Sequence, residues 1–324
     1  MSKPSGHILG IAVPVVLALV LLPAVAAYFD QSFYVGVVTR IVIFAIAACA
    51  LNLVFGYGGL VSLGHALFLG LGAYSVAIPA FYGITNGFAQ LAICVLACGL
   101  VGALTGAISL RTSGIGFIMI TLSFAQMGQF AFVSLKQYGG DDGTTIASGS
   151  AFGPLDLGHA TSLYFTALVV LALTVLAMAR IRTSKFGMVL RAAKQNHRRA
   201  SSVGFGIKRV QLQAYVLSAI VCGIAGLLLA NLTAFASPTA MNWFTSSELI
   251  VMVVLGGVGS VIGPVVGAFA FIGAEEISKA LSAHWAAYVG VAIIAVAVSG
   301  RKCLLGAIPR RMFCTSKIKA EVAP

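Results

Sequence analysis

The chain has 324 residues, of which 60% are hydrophobic and 9% are charged, and it carries a formal net charge of +12. Soluble domains have about 25% charged residues, so this chain has too few polar side chains to cover a surface that faces water. The composition excludes an ordinary soluble protein. It predicts an all-α integral membrane protein, because a helix satisfies its backbone hydrogen bonds within one segment. The polar segments are too short to hold cores of their own, so residues 1–324 are expected to form a single transmembrane domain.

The basic residues are concentrated in two places. Nine of the 20 Lys and Arg residues lie between Arg180 and Arg209, and six more follow Gly300. Both basic segments flank apolar runs, and the positive-inside rule explains this distribution without a nucleic-acid partner. We therefore expect the loop 181–210 and the tail 301–324 to lie in the cytoplasm, and the polar loop 136–159 to lie on the outer side of the membrane.

About 20 apolar residues are needed for a helix to cross the hydrocarbon core of a bilayer. The apolar runs predict about ten such helices, some of them broken at Gly- and Pro-rich segments, at residues 8–28, 33–54, 60–82, 87–110, 114–135, 160–180, 211–234, 246–260, 262–282 and 284–300. This number places both termini in the cytoplasm. It depends on a break between Gly256 and Pro264, because one continuous helix over 246–282 would put the two basic segments on opposite sides.

Several features near the ends of the spans need separate interpretation. The first span follows Lys3 and ends in Ala24-Val25-Ala26, which is also typical of a signal peptide, but its apolar stretch is long enough for a retained span. Arg40 and Lys279 fall in the outer parts of spans, where long side chains can reach the interface. Lys279 follows Glu275 by four residues, so we expect these two side chains to pair on one helix face.

The most informative stretch begins at Gly56 and contains four glycines in the nine residues up to Gly64. Such a run weakens a regular helix, and non-helical backbone at membrane depth is tolerated only where protein or a water-filled cavity surrounds it. The freed backbone groups near Ser62 and His65 would then line a solute path. Alternatively, the glycines allow close helix packing and His65 forms a hydrogen bond with a neighbour.

The run S-L-G-H-A-L-F-L-G-L-G-A-Y over 62–74, preceded by L-N-L-V-F-G-Y-G-G-L, resembles the signature of the permeases of branched-chain amino acid ABC importers, and among them the LivM type. The stretch 251–268 resembles the second glycine-rich segment of that family, and the stretch from Ser184 to Gly204 resembles its cytoplasmic loop. Gly139-Gly140-Asp141-Asp142-Gly143 resembles a patch of its outer loop, although Tyr138 stands where the family has Thr. These matches cover roughly residues 35–310 in the expected order.

The resemblance implies one subunit of an importer in the bacterial inner membrane, assembled from two permeases, two cytoplasmic ATPases and a periplasmic binding protein. The chain has no G-x-x-x-x-G-K-[ST] loop, so the partner ATPases would bind ATP and Mg, and this chain would hold no cofactor and not be an enzyme. The second permease is expected to be a paralogue. The solute is expected to be a branched-chain or other amino acid, with urea, an amide or an organic acid as the alternative.

The expected functional residues form three groups. The solute path would be lined by Asn52, Ser62, Gly64, His65, Tyr74, Thr121, Gly256, Gly257 and Gly259. Coupling to the ATPases would use Ser184, Phe186, Gly187, Leu190, Arg191, Ala192 and Gly204. The binding protein would contact Gly140, Asp141, Asp142 and Gly143, and the alternatives for this loop are a gate at the pore mouth or a solvated connector.

The cytoplasmic loop has a pattern that favours a docking helix. Thr183 or Ser184 can cap a short helix whose apolar residues fall on one face, and we expect that face, formed by Phe186, Val189, Leu190 and Ala193, to lie in a groove of an ATPase. No Asp or Glu occurs from 181 to 210, so the docking surface is strongly cationic. The alternative is a basic loop that only sets the topology.

Two other classes of protein fit less well. An intramembrane enzyme would need convergent Asp, His or Arg side chains, whereas His65 stands alone and the cytoplasmic loops contain almost no acids. A transporter that works without an ATPase disagrees with the resemblance. Cys94 and Cys98 share a helix face, but no further Cys or His completes a metal site in the sequence, so none is expected.

Overall fold

The computed structural model describes residues 32–281, apart from 147 and 154, together with 287, 290 and 291. Its α-helices are α1 (Ser32–Asn52), α2 (His65–Phe81), α3 (Gly87–Ser109), α4 (Ile115–Ser134), α5 (Ala160–Thr183), α6 (Lys185–Gln195), α7 (His197–Ser202), α8 (Ile207–Thr233), α9 (Trp243–Gly256) and α10 (Gly263–Leu281). Four short strands are β1 (Thr144–Thr145), β2 (Ala151–Phe152), β3 (Leu155–Asp156) and β4 (Phe235–Ala236). The predicted span 8–28, most of the predicted span 284–300 and the basic tail lie outside the described residues.

Each predicted span between residues 33 and 282 corresponds to one helix of the structure. Five of the described helices are long and apolar enough to cross a membrane, namely α1 with its continuation to Tyr57, α3, α4, α5 and α8. The apolar helices α2 and α9 are shorter, with 17 and 14 residues. An all-α membrane protein is therefore confirmed, and the total of ten crossings stays a prediction.

Two boundaries depend on glycine. The second predicted span starts as a helix only at His65, because residues 58–64 form an irregular connection. The predicted division of 246–282 is confirmed, since α9 ends at Gly256 and α10 begins at Gly263. The connection between them therefore separates two helices, as the predicted topology requires.

The core is centred on a close crossing of α2 and α8. A Cβ atom added to Gly72 would lie 1.9 Å from the carbonyl oxygen of Gly223, and one added to Gly226 would lie 1.9 Å from that of Leu69. Only glycine allows the two backbones to approach this closely, which is how helices gain packing energy where lipid removes the hydrophobic drive between them. This crossing holds α2 and the irregular connection before it against α8.

The helix ends form two opposite groups. At one end β1 pairs with β4 in antiparallel register, Thr144 opposite Ala236, and the hydroxyl groups of Tyr82 and Tyr138 are hydrogen-bonded at 2.8 Å. At the other end α6 and α7 lie beside the end of α1. The polar loop 136–159 and the basic loop 181–210 are thus at opposite ends of the bundle, which agrees with their predicted positions on opposite sides of a membrane.

Large apolar side chains cover the outside of the bundle. Leu96, Leu100 and Leu104 follow one another at every fourth position of α3 and are 72%, 66% and 58% exposed. Such a stripe would be unfavourable in water and is favourable against lipid tails or a second membrane subunit. Together with the apolar lengths of the helices, it identifies a multi-pass membrane protein.

Candidate functional site

The first glycine-rich connection, residues 53–64, begins where α1 loses its regular hydrogen bonding. Leu53–Tyr57 forms a π-helical turn, in which the N–H of Gly58 donates to the carbonyl of Leu53 at 3.3 Å. Gly59 has a φ of +71° and connects this turn to the start of α2. Single π-turns inside helices occur frequently at functional sites. We call residues 53–64 the first break.

The second glycine-rich connection, residues 257–262, joins α9 to α10, and we call it the second break. Gly257 and Gly259 have φ values of +116° and +79°, which residues with a side chain rarely adopt. A Cβ atom on Gly256 would lie 1.8 Å from the carbonyl oxygen of Gly263. The sharp reversal of the chain therefore needs glycine both for its backbone angles and for its packing.

The two breaks cross each other, and Asn52 joins them. Its Nδ2 donates to the carbonyl of Ser260 at 2.8 Å, and its Oδ1 accepts the N–H of Gly259 at 3.0 Å. A Cβ atom on Gly56 would lie 2.0 Å from Asn52 Oδ1 and 2.8 Å from the Gly259 nitrogen. One amide side chain thus satisfies two backbone groups of the second break, and glycine at 56 leaves room for it.

His65 lies beside the first break at the beginning of α2, and its side chain is fully buried. Its Nε2 is 2.8 Å from Ser218 Oγ and its Nδ1 is 3.1 Å from Ser62 Oγ. The Ser218 hydroxyl donates to the carbonyl of Ala50 at 2.5 Å, so its oxygen accepts a hydrogen bond from the Nε2–H of the imidazole. The Nδ1 atom then accepts from Ser62. A neutral imidazole therefore connects α1, the first break and α8.

Other predicted path residues lie around the same break. The N–H of Leu63 donates to Thr121 Oγ1 at 3.3 Å, and a Cβ on Gly64 would lie 3.0 Å from the Thr121 carbonyl oxygen. Tyr74 is further along α2, where its ring packs on Phe132 with centroids 4.3 Å apart. The structure thus brings the predicted path residues Asn52, Ser62, Gly64, His65, Thr121, Gly256, Gly257 and Gly259 to the two breaks and their flanks, and it places Tyr74 away from them.

The predicted docking helix is α6. Ser184 caps it by accepting the N–H of Gly187 at 3.2 Å, and the guanidinium of Arg191 donates to the carbonyls of Gly187 and Arg182. Its apolar face packs on the chain itself, because Leu190 is 1% exposed and lies in a cluster with Leu53 and Tyr57, against which Phe186 is also packed. This face is therefore not available to a groove in another protein, contrary to the interpretation of the pattern as an external contact.

The opposite face of α6 is open. Ala192 and Gln195 are exposed and line a cleft of about 400 Å³ together with Asn196, Arg199, Ala200, Val203 and Phe205. The side chains of Val203 and Phe205 are 73% and 50% exposed. Gly204, at the end of α7, has a φ of +91°. The surface that a partner at this end of the bundle can reach thus combines apolar groups with the cationic side chain of Arg199.

The predicted outer contact residues form a glycine turn. Gly140 and Gly143 have φ values of +54° and +78°, and a Cβ on Gly143 would lie 2.5 Å from the Ala236 carbonyl oxygen. Asp141 and Asp142 are exposed at the tip of this turn. The pairing of β1 with β4 fixes the position of this turn, and the two carboxylates are therefore exposed at a defined place on the surface.

Four charged residues of α1 and α10 are paired with one another. Arg40 of α1 contacts Glu276 at 3.1 Å and Glu275 at 3.4 Å, and Lys279 contacts Glu275 at 2.6 Å. The expected pairing of Glu275 with Lys279 is confirmed. The additional contribution of Arg40 joins α1 to α10 and explains how these four charges are accommodated in apolar helices.

Several contributors to the site carry no signal in the sequence. Lys194, in the last turn of α6, donates from its Nζ to the carbonyl of Gly56 at 2.8 Å. Ser218 holds His65, and Ser246 accepts the N–H of Ala66 at 2.9 Å. The sequence does contain one feature that the two breaks share. Gly56 and Gly59 have the same spacing as Gly256, at the end of α9, and Gly259, in the second break. No group of three or more His, Cys, Asp or Glu side chains that could hold a metal occurs within the described ranges.

A bundle of apolar helices interrupted by two crossed glycine breaks, with a basic amphipathic helix packed against the crossing, is the architecture of a membrane transport protein. Residues 33–298 match the family described as branched-chain amino acid transport system, permease component. This match covers more than half of the chain, and the chain belongs to that family.

Individual relatives agree with this assignment. The chain is 26% identical over 271 residues to the high-affinity branched-chain amino acid transport system permease protein LivM of Escherichia coli K12, and 26% identical over 270 residues to LivM of Salmonella typhimurium. Each alignment covers 76% of this chain and 63% of the relative, so the chain spans less than two thirds of the length of these LivM proteins. LivH of Escherichia coli K12 is 26% identical over 293 residues, which cover 82% of this chain and 92% of LivH. No solved structure is significantly similar to the chain.

Proposed function

We propose that the chain is a permease subunit of an ATP-binding cassette importer in the bacterial inner membrane. The observation that carries this proposal is the position of α6: a basic helix outside the spans packs directly on the point where two broken helices cross. A partner that moves α6 would therefore act on the part of the bundle that is least constrained by regular helical hydrogen bonds. The family assignment supports the same division between a permease and separate ATPases. On this proposal the chain itself is not an enzyme.

The solute path runs along the two breaks and the residues around them. Backbone groups at helix breaks can bind polar solutes at membrane depth, because they are not used by regular helical hydrogen bonds. In the described conformation the side chains of Asn52, His65 and Thr121 are buried and hydrogen-bonded within the chain. Opening of a path would require these contacts to rearrange, which is the role expected of ATP-driven alternating access.

The exposed surfaces at the two ends of the helix bundle suggest where the partner proteins would bind. Two ATPases would bind the permease pair through the exposed face of α6 and the cleft beside α7, and a binding protein would deliver solute at the turn of Asp141 and Asp142. The second permease would be a paralogue, since LivM and LivH are distinct proteins that both resemble this chain. The spans would number ten with both termini in the cytoplasm.

Branched-chain amino acids are the proposed solutes, because the family and the relatives carry that description. The test is uptake of radiolabelled leucine by cells of the native host from which this chain has been deleted. Reintroducing the chain should restore ATP-dependent uptake, and unlabelled isoleucine and valine should compete. Competition by urea, an amide or an organic acid, without competition by amino acids, would replace this solute class by the corresponding one.

A further inference from the structure

Lys194 connects α6, the predicted docking helix, to the first break through its ammonium group and through its methylene stem. The ammonium group donates to the carbonyl of Gly56 at 2.8 Å. The methylene stem crosses Gly59, where an added Cβ would lie 2.8 Å from Lys194 Cγ. Gly59 also has a φ of +71°. The absence of a side chain at position 59 therefore lets the lysine reach the end of α1.

The Gly56 carbonyl is an effective acceptor because of its position. It lies at the carboxyl end of α1, where helix carbonyls lack regular partners and the helix dipole is negative. The carbonyls of Leu53, Val54 and Phe55 accept backbone N–H groups of the first break, and the Gly56 carbonyl accepts the lysine. A charged donor forms a stronger bond than a neutral one. Within the described residues, no other side-chain hydrogen bond joins α6 to this break.

The contact continues from the first break to the second. Gly56 packs on Asn52, as the 2.0 Å separation between an added Cβ and Asn52 Oδ1 shows. Asn52 in turn holds the N–H of Gly259 and the carbonyl of Ser260. Lys194 does not touch the second break itself. The hydrogen bond from Lys194 to Gly56, the packing of Gly56 on Asn52 and the two hydrogen bonds of Asn52 therefore lead from α6 to the connection between α9 and α10.

We propose that Lys194 is a positioning residue that ties the docking helix to both breaks, so that a displacement of α6 reaches the second break through Asn52. The tie is a property of the isolated chain, whereas its part in transport rests on the proposed function. A lysine that only caps α1 would influence the first break alone. The two possibilities differ in what happens at Gly259 when Lys194 is changed.

Hydrogen–deuterium exchange of the full chain in lipid nanodiscs distinguishes a lysine that ties α6 to both breaks from one that only caps α1. Lys194→Met keeps the length of the side chain and removes the charged donor, and we expect amide exchange to become at least about threefold faster at both the first and the second break. Lys194→Arg should restore slow exchange, because it keeps a charged donor. Lys208→Met is the matched control, since Lys208 is an exposed cation of the same loop. Should Lys194→Met not be recovered in folded form, Lys194→Gln takes its place.

A second variant tests the route. In an Asn52→Ala background, Lys194→Met should still accelerate exchange at the first break, but its effect on the second break should be smaller, because only the direct packing of Gly56 on Gly259 then joins the two breaks. Faster exchange at the first break only, in the chain with Asn52 intact, would overturn the proposal. Unchanged exchange at both breaks would overturn it as well.

Transport by the assembled importer gives an independent readout. With leucine as the probe, Lys194→Met should lower the number of solute molecules imported per ATP hydrolysed at least about fivefold while the ATPases still copurify. An unchanged ratio would overturn the coupling role. If the unmodified chain copurifies with no ATPase, the proposed function fails, and the exchange experiment still decides whether Lys194 ties α6 to both breaks.

Discussion

The backbone N–H of Gly259 is hydrogen-bonded at 3.0 Å to the side chain of Asn52, a residue 207 positions earlier in the chain. The same side chain donates to the carbonyl of Ser260 at 2.8 Å. Both backbone groups are part-buried in a connection without helical hydrogen bonding, so they would otherwise lack partners within the helices. The crossing of the two glycine breaks therefore depends on one amide group placed at the end of α1.

Asn52→Leu should destabilise the protein, because it removes this amide while keeping the number of side-chain heavy atoms. We expect a loss of about 1–3 kcal/mol in the free energy of unfolding, since two part-buried backbone groups lose their partners. Thermal unfolding of the purified protein in detergent measures the change. Ser123→Ala is a suitable control, because the Ser123 hydroxyl is exposed and bonded only to its own helix at Met119. Equal melting temperatures for the two variants would show that Asn52 does not hold the breaks together.

Gly72→Ala should disrupt the crossing of α2 and α8. The new methyl group would lie 1.9 Å from the carbonyl oxygen of Gly223, and backbone atoms cannot move away cheaply. Overpacking of this kind costs about 1–3 kcal/mol or more. The matched control is Gly273→Ala on α10, where an added Cβ has no atom within 4 Å. We expect folded yield and melting temperature to fall for the first variant only; a similar loss for both would contradict the close approach of the two helices.

Arg40→Met should weaken the contact between α1 and α10. It leaves Glu276 without its 3.1 Å partner, and we expect a cost of about 1–2 kcal/mol, below the range for fully buried pairs because the Arg40 side chain is 35% exposed. Adding Glu276→Gln should recover part of the loss, since the unpaired charge is then removed. The melting temperatures of the two single variants and the double variant measure this coupling. Strictly additive losses would show that Arg40 and Glu276 are energetically independent.

Charge changes on the open surface around the cleft of α6 and α7 should affect binding of the ATPases and leave the fold intact. Arg199→Glu places a carboxylate beside the cleft of α6 and α7 in a loop that has no acids from 181 to 210. A partner complementary to this loop is acidic, so we expect about tenfold weaker binding at low salt and a smaller difference at high salt. Lys136→Glu, at the opposite end of the bundle, is the control. An unchanged affinity for Arg199→Glu would exclude this face as the docking surface.

Local sequence patterns predicted most of the described architecture. The apolar runs gave the positions of the helices from residue 33 to 282, and Gly and Pro marked the break between α9 and α10. These features are readable because backbone geometry restricts which residues are allowed at them.

Contacts between distant segments were not predictable in this way. The amphipathic pattern of α6 identified Leu190 as part of an apolar face, but a pattern does not state what the face packs on, and the structure shows that it packs on Leu53 and Tyr57 of the same chain. Likewise, nothing in the sequence around Lys194 or Ser218 distinguishes them from other polar residues. Their partners, Gly56 and His65, are 138 and 153 positions away.

The proposed function requires that this chain works as a membrane subunit driven by separate ATPases. Purification of the tagged chain from its native host in mild detergent, followed by mass spectrometry of the proteins recovered with it, tests this requirement. We predict stoichiometric recovery of P-loop ATPases and a second permease. Recovery of this chain alone, from an extraction that preserves a known ABC complex of the same membrane, would contradict the proposed function and favour a transporter that functions without an ATPase.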